Sequence, residues 1–292
     1  MYSEVHIIGA ASGRGEKDTR CADGPCKLQQ MGLTSWLGVH GVVARWEKTF
    51  TAGSAQTDLE AVAALCKQLS NAIAKCVSLQ ECFAVIGGDH SCAIGTWSGA
   101  YRGLGGEAPL GMIWIDAHMD SHLPDTSPSG AIHGMPLACL LGFGPTRLTG
   151  MTRNGPPLQP QHVCLIGVRS YENQEAALLS KLGVQTFFIE DINKFGLETI
   201  MSKALEIACS DTAGFGVSID LDAIDPKDAP AVATPAENGL SAKALLSSLR
   251  RISSRQQLLG VEIAEFNPYL DRNDLTAGLI HQLLAAMLGQ KE

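Results

Sequence analysis

No run in the 292-residue chain approaches the roughly 20 apolar residues that a membrane-crossing helix needs. The opening stretch, Met1-Tyr2-Ser3-Glu4-Val5-His6-Ile7-Ile8, has neither a basic n-region nor a long apolar core, so it does not read as a secretory signal. There is no basic stretch, and the formal net charge is −8. A nucleic-acid partner is therefore not expected. The nine cysteines are scattered, odd in number and contain no CxxC pair. That pattern excludes a zinc ribbon and a dithiol redox motif, and it fits reduced core thiols in a cytoplasmic protein. Repeats, low-complexity tracts and long linkers are also missing, so residues 1–292 are expected to form a single domain.

Apolar strand-like runs alternate with amphipathic helix-like segments along the whole chain. Strands are expected at Val5–Ala10, Val42–Ala44, Cys82–Ile86, Met112–Ile115, His162–Val168, Gln185–Ile189, Val217–Asp220 and Gln257–Ile263. Helices are expected at Pro25–Met31, Thr57–Lys75, Ala93–Arg102, Gly134–Leu141, Glu172–Leu182, Gly196–Cys209, Ser241–Ile252 and Ala277–Leu288. This alternation predicts an α/β fold in three layers: a mostly parallel sheet of about eight strands with helices on both faces. Ligands of such sheets bind beyond the carboxyl ends of the strands.

Polar residues concentrate at those ends. Asp116, His118 and Asp120 follow the run Met112–Ile115, and Asp220 and Asp222 close the run from Phe215. Continued as strand, each set would point to one face. Four carboxylates crowded at buried strand ends repel one another and are costly to desolvate, which divalent cations would offset. Gly87-Gly88-Asp89-His90 adds an imidazole at another strand end. The candidate ligands are His90, Asp116, His118, Asp120, Asp220 and Asp222, a mixed oxygen and imidazole set that suits manganese. Six ligands exceed what one ion with an open position needs, so two ions sharing a water are expected. Glu265, past a further apolar strand, could grip a cationic substrate. His133 could shuttle protons or cap a helix, and Thr234 reads as a loop residue.

Gly87-Gly88-Asp89-His90-Ser91, Asp116-Ala117-His118-Met119-Asp120, Ser218-Ile219-Asp220-Leu221-Asp222-Ala223-Ile224-Asp225-Pro226 and Glu265-Phe266-Asn267-Pro268 occur in this order. Together they resemble the ureohydrolase superfamily, the arginase and agmatinase family, and on the arginase side of it. The resemblance implies two manganese ions per chain. One would be held by His90, Asp116, Asp120 and Asp220, the other by Asp116, His118, Asp220 and Asp222, with Asp116 and Asp220 bridging. It implies that activated water attacks a guanidinium carbon, that Asp120 orients it, that Glu265 pairs with the guanidinium and that His133 shuttles protons. The products would be urea and an amine, from a homo-oligomer of three or six copies.

Two positions depart from the arginase pattern, His122 and Ala131, where arginases commonly carry asparagine for the amino acid's α-groups. Ser127 and Ser129 remain as carboxylate donors, and Glu172 and Glu175 fall where arginases place acids near the α-amino group. L-Arginine ranks first as substrate, ahead of agmatine, guanidino acids and smaller guanidines. A non-catalytic family member and a one-zinc amide hydrolase of related fold are the further alternatives.

Overall fold

The computed structural model describes residues 4–253 and 257–289. Its strands are β1 (Val5–Ala11), β2 (Ala44–Thr51), β3 (Cys82–Gly87), β4 (Leu110–Ile115), β5 (Leu158–Val168), β6 (Gln185–Phe188), β7 (Gly214–Asp220) and β8 (Leu258–Ala264). They form one sheet in the order β2-β1-β3-β8-β7-β4-β5-β6, and every neighbouring pair is parallel. Parallel neighbours require long crossovers. The helices that make them are α1 (Gly24–Gln30), α2 (Leu33–Val39), α3 (Asp58–Ser78), α4 (Ala93–Gly103), α5 (Pro136–Leu140), α6 (Thr146–Thr149), α7 (Asn173–Leu182), α8 (Ile189–Phe195), α9 (Leu197–Cys209) and α10 (Ala242–Leu249), and α11 (Leu275–Leu288) follows the last strand.

Alternation along the strands sorts the core into two layers. Ile113, Ile115, Val217 and Ile219 share one buried cluster with Leu28 of α1, Leu37 of α2, Met201 of α9, Leu249 of α10 and Ile280 of α11. Phe83, Val85, Met112 and Trp114 share the other with Leu69 of α3, Trp97 of α4, Leu137 of α5 and Leu179 of α7. The three-layer expectation therefore holds. Local signals explain where helices start. Thr57 accepts the Glu60 N–H (3.3 Å) at the head of α3, whose Leu65, Leu69 and Ile73 line its buried face. Glu172 and Glu175 form a capping box at the head of α7.

Some boundaries differ from expectation. The second strand runs Ala44–Thr51 rather than Val42–Ala44. It is an edge strand in which Arg45, Glu47 and Lys48 face solvent, so no apolar run marks it. α2, α6 and α8 were not anticipated, and Ile189, expected as strand, opens α8. Among the described residues, no helix is long and apolar enough to cross a membrane, and all nine cysteines are free thiols.

β3, β8, β7 and β4 lie consecutively at the middle of the sheet. Their carboxyl ends thus bring the segments at His90, Glu265, Asp220 and Asp116 side by side. Trp97, fully buried, wedges α4 onto this central region and meets the Phe83 ring at 5.8 Å. Trp97→Ala is expected to cost about 3–5 kcal/mol through the cavity it leaves. Chemical denaturation tests this, and a loss below about 1 kcal/mol would contradict close packing there.

Candidate functional site

The acid and histidine positions converge, but not by strand alternation. β4 ends at Ile115, so Asp116, His118 and Asp120 lie in the loop that follows, and Asp222 lies in a short 3-10 turn, Leu221–Ala223, after β7. Asp120 reaches the site by adopting left-handed backbone (φ 46°). Glu265 does the same at the end of β8 (φ 70°), held by its N–H donating to Gly88 O (2.7 Å). Left-handed backbone at non-glycine residues costs about 1–3 kcal/mol and persists where the surroundings enforce it. Gly88 permits the approach of the neighbouring loop, since a Cβ there would sit 1.9 Å from Ser12 O.

Two ligand clusters share one acid. His90, Asp116, Asp120 and Asp220 form the first, and Asp116, His118 and Asp222 the second. His90 Nδ1 lies 3.0 Å from Asp120 Oδ2, 3.1 Å from Asp220 Oδ2 and 3.4 Å from Asp116 Oδ2. His118 Nδ1 lies 3.0 Å from Asp222 Oδ2 and 3.6 Å from Asp116 Oδ1. Asp116 joins both clusters as expected of a bridge, whereas Asp220 groups only with the first.

The donor chemistry fits a cation. His90 Nε2 is 2.9 Å from Ser218 Oγ, whose hydroxyl donates to Glu262 Oε1 (2.9 Å). Ser218 is therefore the acceptor for Nε2–H, and Nδ1 faces the three aspartates. His90 Nδ1 and Asp120 Oδ2 are buried without a hydrogen-bond partner. Only a proton or a metal ion relieves such a centre. Burial, then Asp116, pushes Asp120 up to about 7, and burial, then Asp222 and Asp116, holds Asp220 well above the usual carboxylate range. Burial opposes the charge on His90, but the three aspartates outweigh it and raise His90 well above its ordinary value. At Asp116 burial acts upward, yet His118 and His90 draw the group below its ordinary value.

The positions expected to bind substrate line one cavity of about 250 Å³. Its wall includes His122, Ser127, Ser129, Ala131, Glu172, Glu175 and Thr234, together with His118, Asp120, His133, Asp220 and Asp222. Ser127 Oγ accepts the Gly130 N–H (3.0 Å) and Ser129 Oγ the Ala131 N–H (3.2 Å), which leaves both hydroxyl protons available. Thr234 lies in a loop, as expected, with its Oγ1 3.5 Å from Asp222 Oδ2. His122 Nε2 lies 2.9 Å from Glu172 Oε2 and 3.3 Å from Glu175 Oε2. Burial pushes Glu175 up to about 8.

Glu265 lies outside that wall, only 1% exposed. Its Oε1 accepts the His90 N–H (2.8 Å) and lies 3.2 Å from His133 Nδ1, while Oε2 is buried with no partner. Burial works against a charge on His133, but Glu265 outweighs it and pushes His133 up to about 10.

Several contributors escaped the sequence reading. Trp114 donates from Nε1 to Asp116 Oδ2 (2.9 Å) and stacks on His90 at 4.4 Å. Arg169 donates to the carbonyls of Gly167, Asp222, Ala223, Ala236 and Glu237, tying the β7 loop to the sheet end. Glu262 had a readable signal, a lone acid inside the apolar strand β8. Glu16, which groups with His133 and Glu265, had none.

The raised aspartates and histidines share one consequence for the metal-free protein. A carboxyl held above its unfolded value retains protons that the unfolded chain has released, and so does a raised histidine, so stability falls as pH rises from about 4 through 7 and beyond. Added divalent cation is expected to raise the melting temperature more at about pH 8 than at about pH 5.5. An equal shift at both pH values would contradict the cluster's role.

The chain is similar to known proteins over its full length. Residues 3–289 match the model of the arginase family. The arginase of Brevibacillus brevis is 35% identical over 300 residues, covering 100% of this chain and 99% of that protein. The crystal structure of Bacillus subtilis arginase superposes with a TM-score of 0.92 at 30% identity, covering 99% of each chain. The Entamoeba histolytica arginase solved with L-ornithine does so with a TM-score of 0.92 at 27% identity, covering 99% of this chain and 100% of that one. A metal-ligand pattern read from the motifs, a fold superposing along its length and a family match across nearly every residue converge on one conclusion: this chain belongs to the arginase family.

Proposed function

We propose that this chain is a binuclear manganese hydrolase that cleaves L-arginine to L-ornithine and urea. One observation carries the reading: Glu265, whose Oε1 accepts the N–H of the candidate ligand His90 (2.8 Å), keeps a buried, unpartnered Oε2, and two ligand clusters share Asp116. A carboxylate oxygen awaiting a donor next to a cation centre suits a guanidinium whose carbon is to be attacked. Family membership, relatives named as arginases and a solved arginase holding L-ornithine support it.

His90, Asp116, Asp120 and Asp220 would hold one ion, and Asp116, His118, Asp220 and Asp222 the other, with Asp220 as a second bridge. When bound, the ions lower the pKa of water and so supply the nucleophile at neutral pH. Asp120 would orient the attacking water and take up its proton. Glu265 binds the guanidinium N–H groups. His133, on the cavity wall and held protonated by Glu265, delivers a proton to the leaving amine. Ser127 and Ser129 donate to the α-carboxylate, and Glu172 and Glu175 face the α-ammonium. Thr234 steadies Asp222, and Ala131 leaves room where an amide would reach. The reading includes a homo-oligomer of three or six copies in the cytoplasm, acting on a small molecule.

A second reading is favoured by His122. Its Nε2 occupies Glu172 and Glu175, the acids that would meet an α-ammonium. A guanidino compound lacking that group, such as a guanidino acid or guanidine itself, would leave this contact intact.

The experiment is urea release with manganese-loaded enzyme on arginine, agmatine, guanidino acids and guanidine. Arginine is expected to be fastest. Faster release from a compound without an α-amino group would favour the second reading, and no urea from any of them would sink both. Glu265→Gln should lower kcat/KM about 10- to 100-fold, the loss of one charge-assisted hydrogen bond, with metal content unchanged. Unaltered kinetics would remove Glu265 from the guanidinium site.

A further inference from the structure

Glu16 lies in the loop after β1 and belongs to none of the motifs. It groups with His133 and Glu265, one donor atom from each lying within 4.8 Å of the others. Its Oε1 is buried with no hydrogen-bond partner. The loop is fixed in place: the Gly15 N–H donates to Asp89 Oδ2 (3.0 Å), and Gly15 O accepts the His133 N–H (3.1 Å). A Cβ at Gly15 would lie 2.3 Å from Asp89 Oδ1, so only glycine brings this loop so close to the site. Arg14, two residues before Glu16, is turned away to Asp58. The charged and titratable groups around Glu16 are thus Glu265, His133, Asp89 and the Cys21 thiol.

We propose that Glu16 is a positioning residue of the active site, placing a second carboxylate against the His133–Glu265 pair and thereby setting the charge that the pair presents to a cationic substrate. Burial, then the charge of Glu265, pushes Glu16 up to about 8. Below that pH Glu16 is neutral. Above it, the Glu16 proton leaves to solvent and the trio gains one negative charge. A guanidinium cation is then held more firmly. Glu16 acts through the pair, so its effect falls on substrate capture. The inference rests on the guanidino-hydrolase reading above.

The test compares manganese-loaded wild type, Glu16→Gln and Glu16→Asp, reading kcat and kcat/KM for arginine between about pH 6.5 and 9.5. A calorimetric titration with guanidinium chloride runs in parallel. The wild-type to Glu16→Gln ratio of kcat/KM is expected to grow about tenfold across about pH 8, with the kcat ratio flat, and Glu16→Asp should keep the growth. Guanidinium affinity of the wild type should rise over the same interval. A ratio constant with pH would reveal a merely structural role and overturn the proposal, as would loss of the growth in Glu16→Asp. Should Glu16→Gln fail to fold, a wild-type guanidinium affinity without an inflection near pH 8 overturns it. Absence of urea from the wild type would sink the hydrolase reading, while the calorimetry still decides the role of Glu16.

Discussion

Like charge held together out of water is the constraint on which this molecule is organised. Asp116, Asp120, Asp220 and Asp222 are each at most 6% exposed and converge on two imidazoles at the carboxyl edge of the sheet. Such an arrangement is unfavourable in the bare chain. It persists because the central strands are locked between two apolar layers, and because positive charge on His90 and His118 partly offsets it. A bound metal pair would complete the compensation and turn a liability of folding into a centre for activating water.

The support behind the ligands shows how the chain fixes their direction. The Ser218 and Glu262 side chains anchor Nε2 of His90, and Thr96 donates to Glu262 from α4. The fully buried Glu262 is thereby satisfied on both oxygens. Trp114 steadies Asp116 from one side, while the His118 N–H donates to its other oxygen (2.7 Å). The Asp222 N–H does the same for Asp220 (2.9 Å). Ligand side chains held in this way lose little freedom when a cation arrives.

Much of this was legible in the sequence, for reasons that differ by residue. The central strands were readable because burial on both faces leaves continuous apolar runs such as Met112–Ile115. The edge strand Ala44–Thr51 was not, because one exposed face dilutes the pattern with charge. The six candidate ligands were singled out from their spacing and do lie together, yet a loop and a 3-10 turn, not strand alternation, gather them. His133 and Glu265 were recognisable from motif order. Glu16 was not, because nothing in Gly15-Glu16-Lys17 reveals that the chain folds back there onto residues more than a hundred positions away. That juxtaposition is a product of parallel topology, in which distant strand ends meet at one edge.

The central claim is that these side chains form a shared centre for two ions bridged by Asp116. Calorimetric titration of manganese into metal-free protein, with the bound metal counted after dialysis, tests it most directly. Two ions per chain are predicted for the wild type and a marked loss at both positions in Asp116→Ala, because one carboxylate serves both clusters. A wild type that binds no ion, or an Asp116→Ala protein that still binds two with undiminished affinity, would contradict it.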